Sequence, residues 1–363
     1  MAVIAVSIQA AANHNNNFEI FRTSWFSLVT GRDLYAPSPR HLDVFLYSPT
    51  FALLFAPFAV VPFWLGVLLW NAVNAAALYW GLGRVLATDH AFAARAIVLM
   101  DTIGSMQNVQ SNALVAGLMI IGFAELERRR EFRAALAIAG GTLIKIFPIV
   151  AAVFSVFRPW RLPRFALYSL ALALALIAAP LLFMSPSQLV EQYRHWMTVQ
   201  RNNDPGYSVM QHLRLWFDLD WPTWAVQIAG VVILLAPLAR LSYWGLPRFR
   251  LLFLSSVLMF CVLFNHGAES PSFVIAVAGV AIWFAISTRD RLDWAVLAIV
   301  VVGTILSASD AMPAVLRQRV FVPYKLKTLP ILLVWVITQV QLWSRSASAP
   351  LRATESVQEL PAT

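Results

Sequence analysis

Residues 127–164 have the sequence ERRREFRAALAIAGGTLIKIFPIVAAVFSVFRPWRLPR. It begins and ends with arginine clusters, and only the mostly apolar residues 134–157 separate them. Arginine and lysine collect in the cytoplasmic loops of membrane proteins, so both clusters are expected on the same side of a bilayer. The chain must leave that side and return within the interval. The pattern therefore predicts two short membrane helices joined by a turn near Lys145.

The composition also indicates an integral membrane protein. Of the 363 residues, 60% are hydrophobic and 12% are charged, whereas soluble domains are roughly 25% charged. So little charge cannot cover a water-soluble protein of this size, and we expect a lipid bilayer around it. The net charge of +9 is spread over short clusters between apolar runs. That pattern is typical of a topology signal, and we expect no nucleic-acid partner.

The cysteine and histidine content excludes two classes of site. Cys261 is the only cysteine, and the six histidines are scattered along the chain. One cysteine cannot form a disulfide framework, and no residues have the spacing of a thiolate or histidine metal site. We expect neither a metal nor a cofactor.

The remaining apolar runs extend the prediction to an all-α, polytopic transmembrane bundle of about twelve membrane segments. Residues 51–61 would be a half-depth or surface element, because one more crossing would invert everything downstream. Residues 1–12 would form a helix of about 18 Å against a hydrocarbon core of about 30 Å, so we expect the natural chain to begin upstream. The predicted segments are residues 1–12, 64–86, 91–105, 114–126, 132–144, 146–157, 165–184, 223–239, 251–264, 272–286, 294–306 and 328–343.

Five arginine-rich sites set the predicted orientation, with both termini in the cytoplasm. Almost every unusual polar group then falls on the extracytoplasmic side, where a single wet cavity would explain them together. We expect one domain over residues 1–343, a disordered cytoplasmic tail over residues 344–363, and multi-pass insertion in the cell (inner) membrane. Outer loops over about residues 13–50 and 185–222 would border the cavity. The arginine-rich sites are residues 127–133, 158–164, 240–250, 289–293, and Arg84 with Arg95.

The run NNNFEIFRTSWFSLVTGRDLYAPSPRHLDVFLYSPTFALLFAPFAVVP, residues 15–62, carries a family resemblance. Its order of residues resembles the first outer loop of glycosyltransferase family 87, which holds GT-C membrane enzymes similar to polyprenol-phosphate-mannose-dependent α-1,2-mannosyltransferases. QSN at residues 110–112 and KIFP at residues 145–148 resemble further stretches of the family. The matching positions in the first loop are Gly31, Leu34, Tyr35, Phe45, Tyr47, Pro49, Pro57 and Pro62.

The resemblance implies a GT-C fold and a transfer outside the cytoplasm. A hexose, mannose-like, would move from a polyprenyl-phosphate sugar donor to a hydroxyl of a glycan or glycolipid acceptor, with no metal required. The family also uses a carboxylate base in the first outer loop. In this chain the aligned position is Asn17, and an amide cannot take a proton from a hydroxyl at neutral pH.

Glu19, in the same loop, is the best substitute for that base. A helix over FEIFRTSWFSLV would place Phe18, Phe21, Trp25 and Leu28 on one apolar stripe, with Glu19 and Arg22 on a more polar flank. The alternative is that Glu19 is a solvated residue neutralised by Arg22. The other candidate bases are Asp33, which could instead cap a turn, Asp43, and Asp101, which could instead pair with Lys145.

Cationic and amide side chains are candidates for holding the substrates. Lys145 is the first choice for the phosphate, because an unpaired ammonium at membrane depth would be unfavourable. Amides suit sugar hydroxyls, although they could equally cap or bridge helices. The remaining candidates for the phosphate are Arg22, Arg194, His195 and Arg201, and those for the sugar or acceptor are Asn17, Gln107, Gln110, Asn112, Asn265, His266 and Glu269.

Three other functions remain open. A twelve-helix transporter would show repeats and polar groups near the midplane, whereas here the polar groups gather toward one face and no repeat is evident. A related enzyme such as a lipid-linked-glycan ligase or polymerase would share this architecture. A degenerate family member that binds lipid-linked sugars without transferring them is kept open by Asn17.

Overall fold

The computed structural model describes residues 1–13, 15–201, 206–307, 309 and 311–348, so most of the predicted tail lies outside the described residues. All regular secondary structure in these residues is helical, which confirms the all-α prediction. A long 3₁₀ helix, Phe147–Phe157, follows α8. The α-helices are α1 Ala2–Ala12, α2 Asn16–Val29, α3 Pro49–Leu54, α4 Ala56–Ala59, α5 Phe63–Val85, α6 Thr88–Gln107, α7 Asn112–Glu127, α8 Glu131–Ile144, α9 Leu162–Ala178, α10 Pro186–Arg201, α11 Val209–Phe217, α12 Thr223–Leu235, α13 Pro247–Leu263, α14 Phe273–Ile286, α15 Arg291–Val300, α16 Ala314–Leu316 and α17 Thr328–Trp343.

Two helical stretches are long and apolar enough to cross a membrane. They are Phe63–Val85, with 23 residues, and Pro159–Leu182, with 24 residues. At 1.5 Å per residue each exceeds the roughly 30 Å of a hydrocarbon core. The other apolar helices found by the same criteria are shorter, and the twelve-segment topology stays a prediction.

The turn predicted near Lys145 is confirmed. Helix α8 ends at Ile144, and Lys145 has an extended backbone. Pro148 lies in the first turn of the 3₁₀ helix that follows, where its missing N–H is tolerated. A Cβ added to Gly141 would lie 3.3 Å from Pro148. The glycine therefore lets the two helices approach each other closely.

The helices fall into two compact units. The first unit comprises residues 1–78 and 103–203, and the second comprises residues 79–102 and 204–363. In the first unit, α2 packs its apolar stripe inward. The ring of Phe21 meets Tyr47, Phe51, Phe55 and Trp70 edge-on, with ring centroids 4.9–6.0 Å apart. Burial of these rings fixes the rotation of α2 about its axis.

The second unit is built around α13 and α14, whose side chains are almost all buried. Close approach of the two helices depends on Gly279, where an added Cβ would lie 2.7 Å from the backbone oxygen of Ser255. The hydroxyl of Ser255 donates a 2.7 Å hydrogen bond to the carbonyl of Gly279.

A buried ion pair also lies in the second unit. The Lys327 ammonium is 3.2 Å from a carboxylate oxygen of Asp101, and both side chains are at most 6% exposed. Lys327 also donates to the backbone and hydroxyl oxygens of Ser270 at 3.1 and 3.2 Å. An ammonium has three donors, so these contacts account for its hydrogen-bonding capacity. The sequence suggested Lys145 as the partner of Asp101. In the structure the partner is Lys327.

Removing one partner of this pair is expected to destabilise the protein. Lys327→Met would leave the Asp101 carboxylate buried without a cation, which lowers the free energy of unfolding by about 3–5 kcal/mol. The double variant Asp101→Leu/Lys327→Met removes both charges and should recover most of the loss. Denaturant unfolding in detergent measures both, with the exposed Arg319→Met as control. Equal stabilities for Lys327→Met and Arg319→Met would contradict this prediction.

Candidate active site

A cleft of about 790 Å³ lies in the first unit, between α2 and the loop that follows it. Its volume falls in the range of roughly 300–1,000 Å³ that is typical of small-molecule sites. One wall is a polar stripe of α2, and the other is the loop up to His41. The residues used below that line it are Glu19, Arg22, Phe26, Arg32, Asp33, Arg40 and His41.

Helix α2 is capped at both ends by its own sequence. The side-chain oxygen of Asn15 accepts from the backbone N–H groups of Asn17 and Phe18 at 3.0 and 3.3 Å, which is the usual role of asparagine at an N-cap. At the other end, Gly31 has a φ of +66°. Backbone hydrogen bonds from Gly31 to Leu28 and from residue 32 to residue 27 complete a Schellman motif. The positive φ that this motif requires explains why residue 31 is glycine.

Glu19 and Arg22 both line the cleft, but they do not pair with each other in the described structure. The Arg22 Nε donates to the carbonyl of Ala59 at 3.1 Å, and its guanidinium lies 5.8 Å from the ring centre of Phe26. Among the described residues, the Glu19 carboxylate has no hydrogen-bond or ion-pair partner. A carboxylate with free lone pairs in a cleft can accept a proton from a bound hydroxyl.

Asp33 also lines the cleft, and its carboxylate is already engaged. One oxygen accepts from the backbone N–H of Tyr35 at 3.1 Å, which closes an Asx-turn. The carboxylate also lies 3.2 Å from Nδ1 of His195 on α10. Both side chains are roughly two-fifths exposed. The turn-capping alternative for Asp33 is therefore observed, together with a histidine contact that the sequence did not indicate.

Asp43 and Asn17 have structural partners near the start of α2. The Asp43 carboxylate accepts from the Asn16 amide at 3.0 Å, and it is not part of the cleft wall. The Asn17 amide donates to the carbonyl of Asn108 at 2.7 Å, and the Asn15 amide donates to the carbonyl of Gln107 at 3.0 Å. The asparagine run therefore ties α2 to the turn that ends α6.

A second polar cluster in the first unit surrounds Tyr47. The Tyr47 hydroxyl donates to the Gln110 side chain at 3.3 Å, and Ser111 donates to the same hydroxyl at 3.3 Å. The Lys145 ammonium lies 5.9 Å from the ring centre of Tyr47. Asn112 is fully buried at the start of α7, and neither polar atom of its amide has a hydrogen-bond partner in the described part of the chain. The structure brings Lys145 and Gln110 together here, outside the cleft wall.

The other candidate residues are not among those that line the cleft. In the second unit, Asn265 accepts from the backbone N–H of Gly267 at 3.2 Å, within the turn that also holds His266 and Glu269. In the first unit, the Gln107 amide lies 3.4 Å from the Gln9 side chain. Arg194 is exposed on α10, and the side chain of Arg201 lies outside the described residues.

Sequence reasoning missed two kinds of residue at this site. Arg32, Arg40 and His41 line the cleft, but their spacing in an irregular loop carries no period that would reveal it. Gln192 is buried on α10 and accepts from the backbone N–H of Leu34 at 2.9 Å. Its place four residues before the buried Trp196 is a helical spacing that could have indicated an inward-facing residue.

No group of three or more histidine, cysteine or acidic side chains in the described ranges has the geometry of a metal site.

Comparison with known proteins identifies the family. The family model of glycosyltransferase family 87 matches residues 45–265, which is more than half of the chain. The match includes Tyr47, Gln110 and Lys145, and it begins after Glu19 and Asp33. No curated protein matches the chain. The chain belongs to glycosyltransferase family 87 and is a membrane-associated glycosyltransferase.

Proposed function

We propose that this protein moves a mannose-like hexose from a polyprenyl-phosphate donor to a hydroxyl of a glycan or glycolipid. The transfer takes place on the extracytoplasmic face of the inner membrane, in a multi-pass GT-C bundle of about twelve segments. The observation that carries the proposal is Glu19, a carboxylate without a described partner in a sugar-sized cleft that also contains Arg22.

The proposed reaction needs a base and a cation. The Glu19 carboxylate takes the proton of the acceptor hydroxyl while the hydroxyl oxygen forms a bond to the anomeric carbon of the sugar. The bond between that carbon and the phosphate oxygen breaks, and its electron pair leaves with the polyprenyl phosphate. Arg22 stabilises the negative charge of the leaving phosphate, which a guanidinium can do through paired hydrogen bonds.

Among the candidate bases, Glu19 has the most suitable surroundings. Asp33 shares its oxygens with His195 and the backbone of Tyr35, so it has less capacity to accept a substrate proton. Asp43 is bound to Asn16. Asp101 is buried in an ion pair with Lys327 and is not part of the cleft wall. Asp33 is therefore the second candidate, and Asp43 and Asp101 have structural roles.

Lys145 supplies a further site for the lipid phosphate in this proposal. It lies with Gln110 beside Tyr47, within the region that matches the family. The other predicted ligands keep the roles proposed from sequence. In the first unit these are Arg194, His195 and Arg201 for the phosphate, and Gln107, Gln110 and Asn112 for the sugar or acceptor.

One observation favours a second candidate function, in which the protein binds a lipid-linked sugar without transferring it. The position of the family's acid holds Asn17, and the amide of Asn17 donates to a backbone carbonyl. This position therefore contributes to the packing of α2 and supplies no base. Sugar transfer by the wild-type protein distinguishes the two functions.

Substitution of Glu19 is expected to abolish most transfer. Glu19→Gln keeps the size of the side chain and removes its basicity, so the rate should fall by about 10²–10⁴-fold. The measurement is sugar transfer by purified protein in lipid nanodiscs, with a polyprenyl-phosphate-mannose donor and membrane-extract acceptors. Asp89→Asn, which changes an exposed carboxylate at the start of α6, is the matched control.

Transfer by Glu19→Gln within about threefold of the wild-type rate would contradict this assignment, because loss of a general base lowers the rate far more. Asp33→Asn would then be tested as the next base. A wild-type protein that binds the donor and releases no product over the same period would favour the binding function.

Restoring an acid at position 17 is expected to harm the fold without improving transfer. In Asn17→Asp a carboxylate would face the carbonyl of Asn108, which accepts a 2.7 Å hydrogen bond in the wild type. The free energy of unfolding should fall by about 0.5–1.5 kcal/mol, and further than in Asn17→Ala, which adds no charge. Denaturant unfolding and transfer assays on both variants measure this. A gain in transfer by Asn17→Asp would show that position 17 remains the functional site of the base.

A further inference from the structure

The loop of residues 34–46 forms one wall of the cleft, and a hydrogen bond connects its beginning to the residue after its end. The hydroxyl of Tyr35 donates to the carbonyl of Tyr47 at 2.8 Å. Burial, with smaller contributions from Tyr193 and Asp33, raises the pKa of this phenol well above its usual value, so it remains a donor. Residues 36–41 in the middle of the loop line the cleft. The Tyr35 hydroxyl therefore connects the beginning of the loop to the residue that follows it.

Helix α10 binds both ends of this loop. Gln192 accepts from the backbone N–H of Leu34 at 2.9 Å, and the indole N–H of Trp196 donates to the carbonyl of Leu46 at 3.1 Å. The Gln200 amide donates to the same carbonyl. Residues four apart on a helix lie on one face, so one face of α10 makes all three contacts.

These contacts are shielded from water. Leu34 is 4% exposed, and Gln192 and Trp196 are each 7% exposed. Water therefore cannot readily replace the hydrogen bond between Gln192 and Leu34. A buried backbone N–H left without an acceptor is strongly unfavourable. The position of the loop therefore depends on its buried hydrogen bond to α10.

Helix α10 is itself held in place. Ser185 and Gln188 exchange hydrogen bonds at its start, in the manner of a capping box. The Tyr193 hydroxyl lies 2.9 Å from the hydroxyl of Thr50 on α3. The helix is therefore fixed at its beginning and along its inner face.

We propose that α10 is the positioning element of the cleft, and that Gln192 and Trp196 are positioning residues that hold the loop wall for the phosphate-bearing donor. This inference rests on the proposed function. The loop carries Arg40 and His41, and Arg32 lies just before it, while Asp33 is engaged by His195, so this wall of the cleft suits an anionic group. Glu19 belongs to α2 and lies outside the loop. Loosening the loop should therefore raise the KM for the donor more than it lowers kcat.

The first test measures the loop directly, in the full chain in nanodiscs. Gln192→Leu removes the acceptor for Leu34, Gln192→Glu keeps an acceptor oxygen at the same reach, and Met197→Ala changes the exposed side of α10. Hydrogen–deuterium exchange of residues 31–46 should be about tenfold faster in Gln192→Leu, which corresponds to the loss of one buried hydrogen bond. It should match the wild type in the other two variants.

The second test measures kinetics of the same variants. The KM for polyprenyl-phosphate-mannose should rise about tenfold in Gln192→Leu, with kcat within about threefold, and Gln192→Glu should restore it. If Gln192→Leu fails to fold, Trp196→Phe removes only the indole donor and takes its place in both tests. Unchanged exchange of the loop, or faster exchange with unchanged KM, would overturn the proposal.

The two proposals fail in different ways. Absence of transfer by the wild-type protein would refute the proposed function. The exchange measurement needs no activity, so it would still decide whether α10 holds the loop. The dissociation constant of Gln192→Leu for the donor would then be measured in place of KM.

Discussion

Burial of Phe21 among four aromatic rings is the constraint on which the candidate site depends. A helix has 3.6 residues per turn, so fixing one side chain of α2 fixes the direction of all the others. With Phe21 held against Tyr47, Phe51, Phe55 and Trp70, the opposite stripe of α2 lines the cleft. Glu19 and Arg22 can line the cleft because Phe21 holds the other side of the helix against the aromatic rings.

The same geometry separates Asn17 from Glu19. Two residues along a helix correspond to a rotation of about 200°, so the two side chains point in nearly opposite directions. Asn17 contacts the turn at Asn108, whereas Glu19 lines the cleft. A base at Glu19 therefore cannot occupy the same position as the family's acid. The acceptor must instead bind on the side of α2 that faces the cleft.

Much of the fold could be predicted from local patterns in the sequence. The apolar stripe of α2 follows from helical periodicity, the turn at Lys145 from the two arginine clusters around residues 134–157, and the bounds of most helices from the lengths of the apolar runs. The motifs after Gly31 indicated the family, and the match over residues 45–265 confirmed it. Each of these predictions uses a short stretch of the chain, in which the spacing of the residues carries the information.

The polar partners of the site could not be predicted in this way. Asp101 pairs with Lys327, which is 226 positions later, and Leu34 binds Gln192, which is 158 positions later. A hydrogen bond between distant segments leaves no period in the sequence, because it depends on how the helices pack. The sequence indicated Lys145 as a partner of Asp101 on charge alone, and packing instead brought Lys327 to it. The wall of the cleft formed by Arg32, Arg40 and His41 is equally a product of packing.

In the proposed reaction, donor and acceptor meet at Glu19 in the cleft of the first unit. Electron cryomicroscopy of the protein with a non-transferable phosphonate analogue of a polyprenyl-phosphate hexose tests it most directly. The account predicts density for the sugar in the cleft, with room for an acceptor hydroxyl at about 2.6–3.2 Å from the Glu19 carboxylate. Density for the sugar beside Asn265 and His266, with an empty cleft, would contradict it.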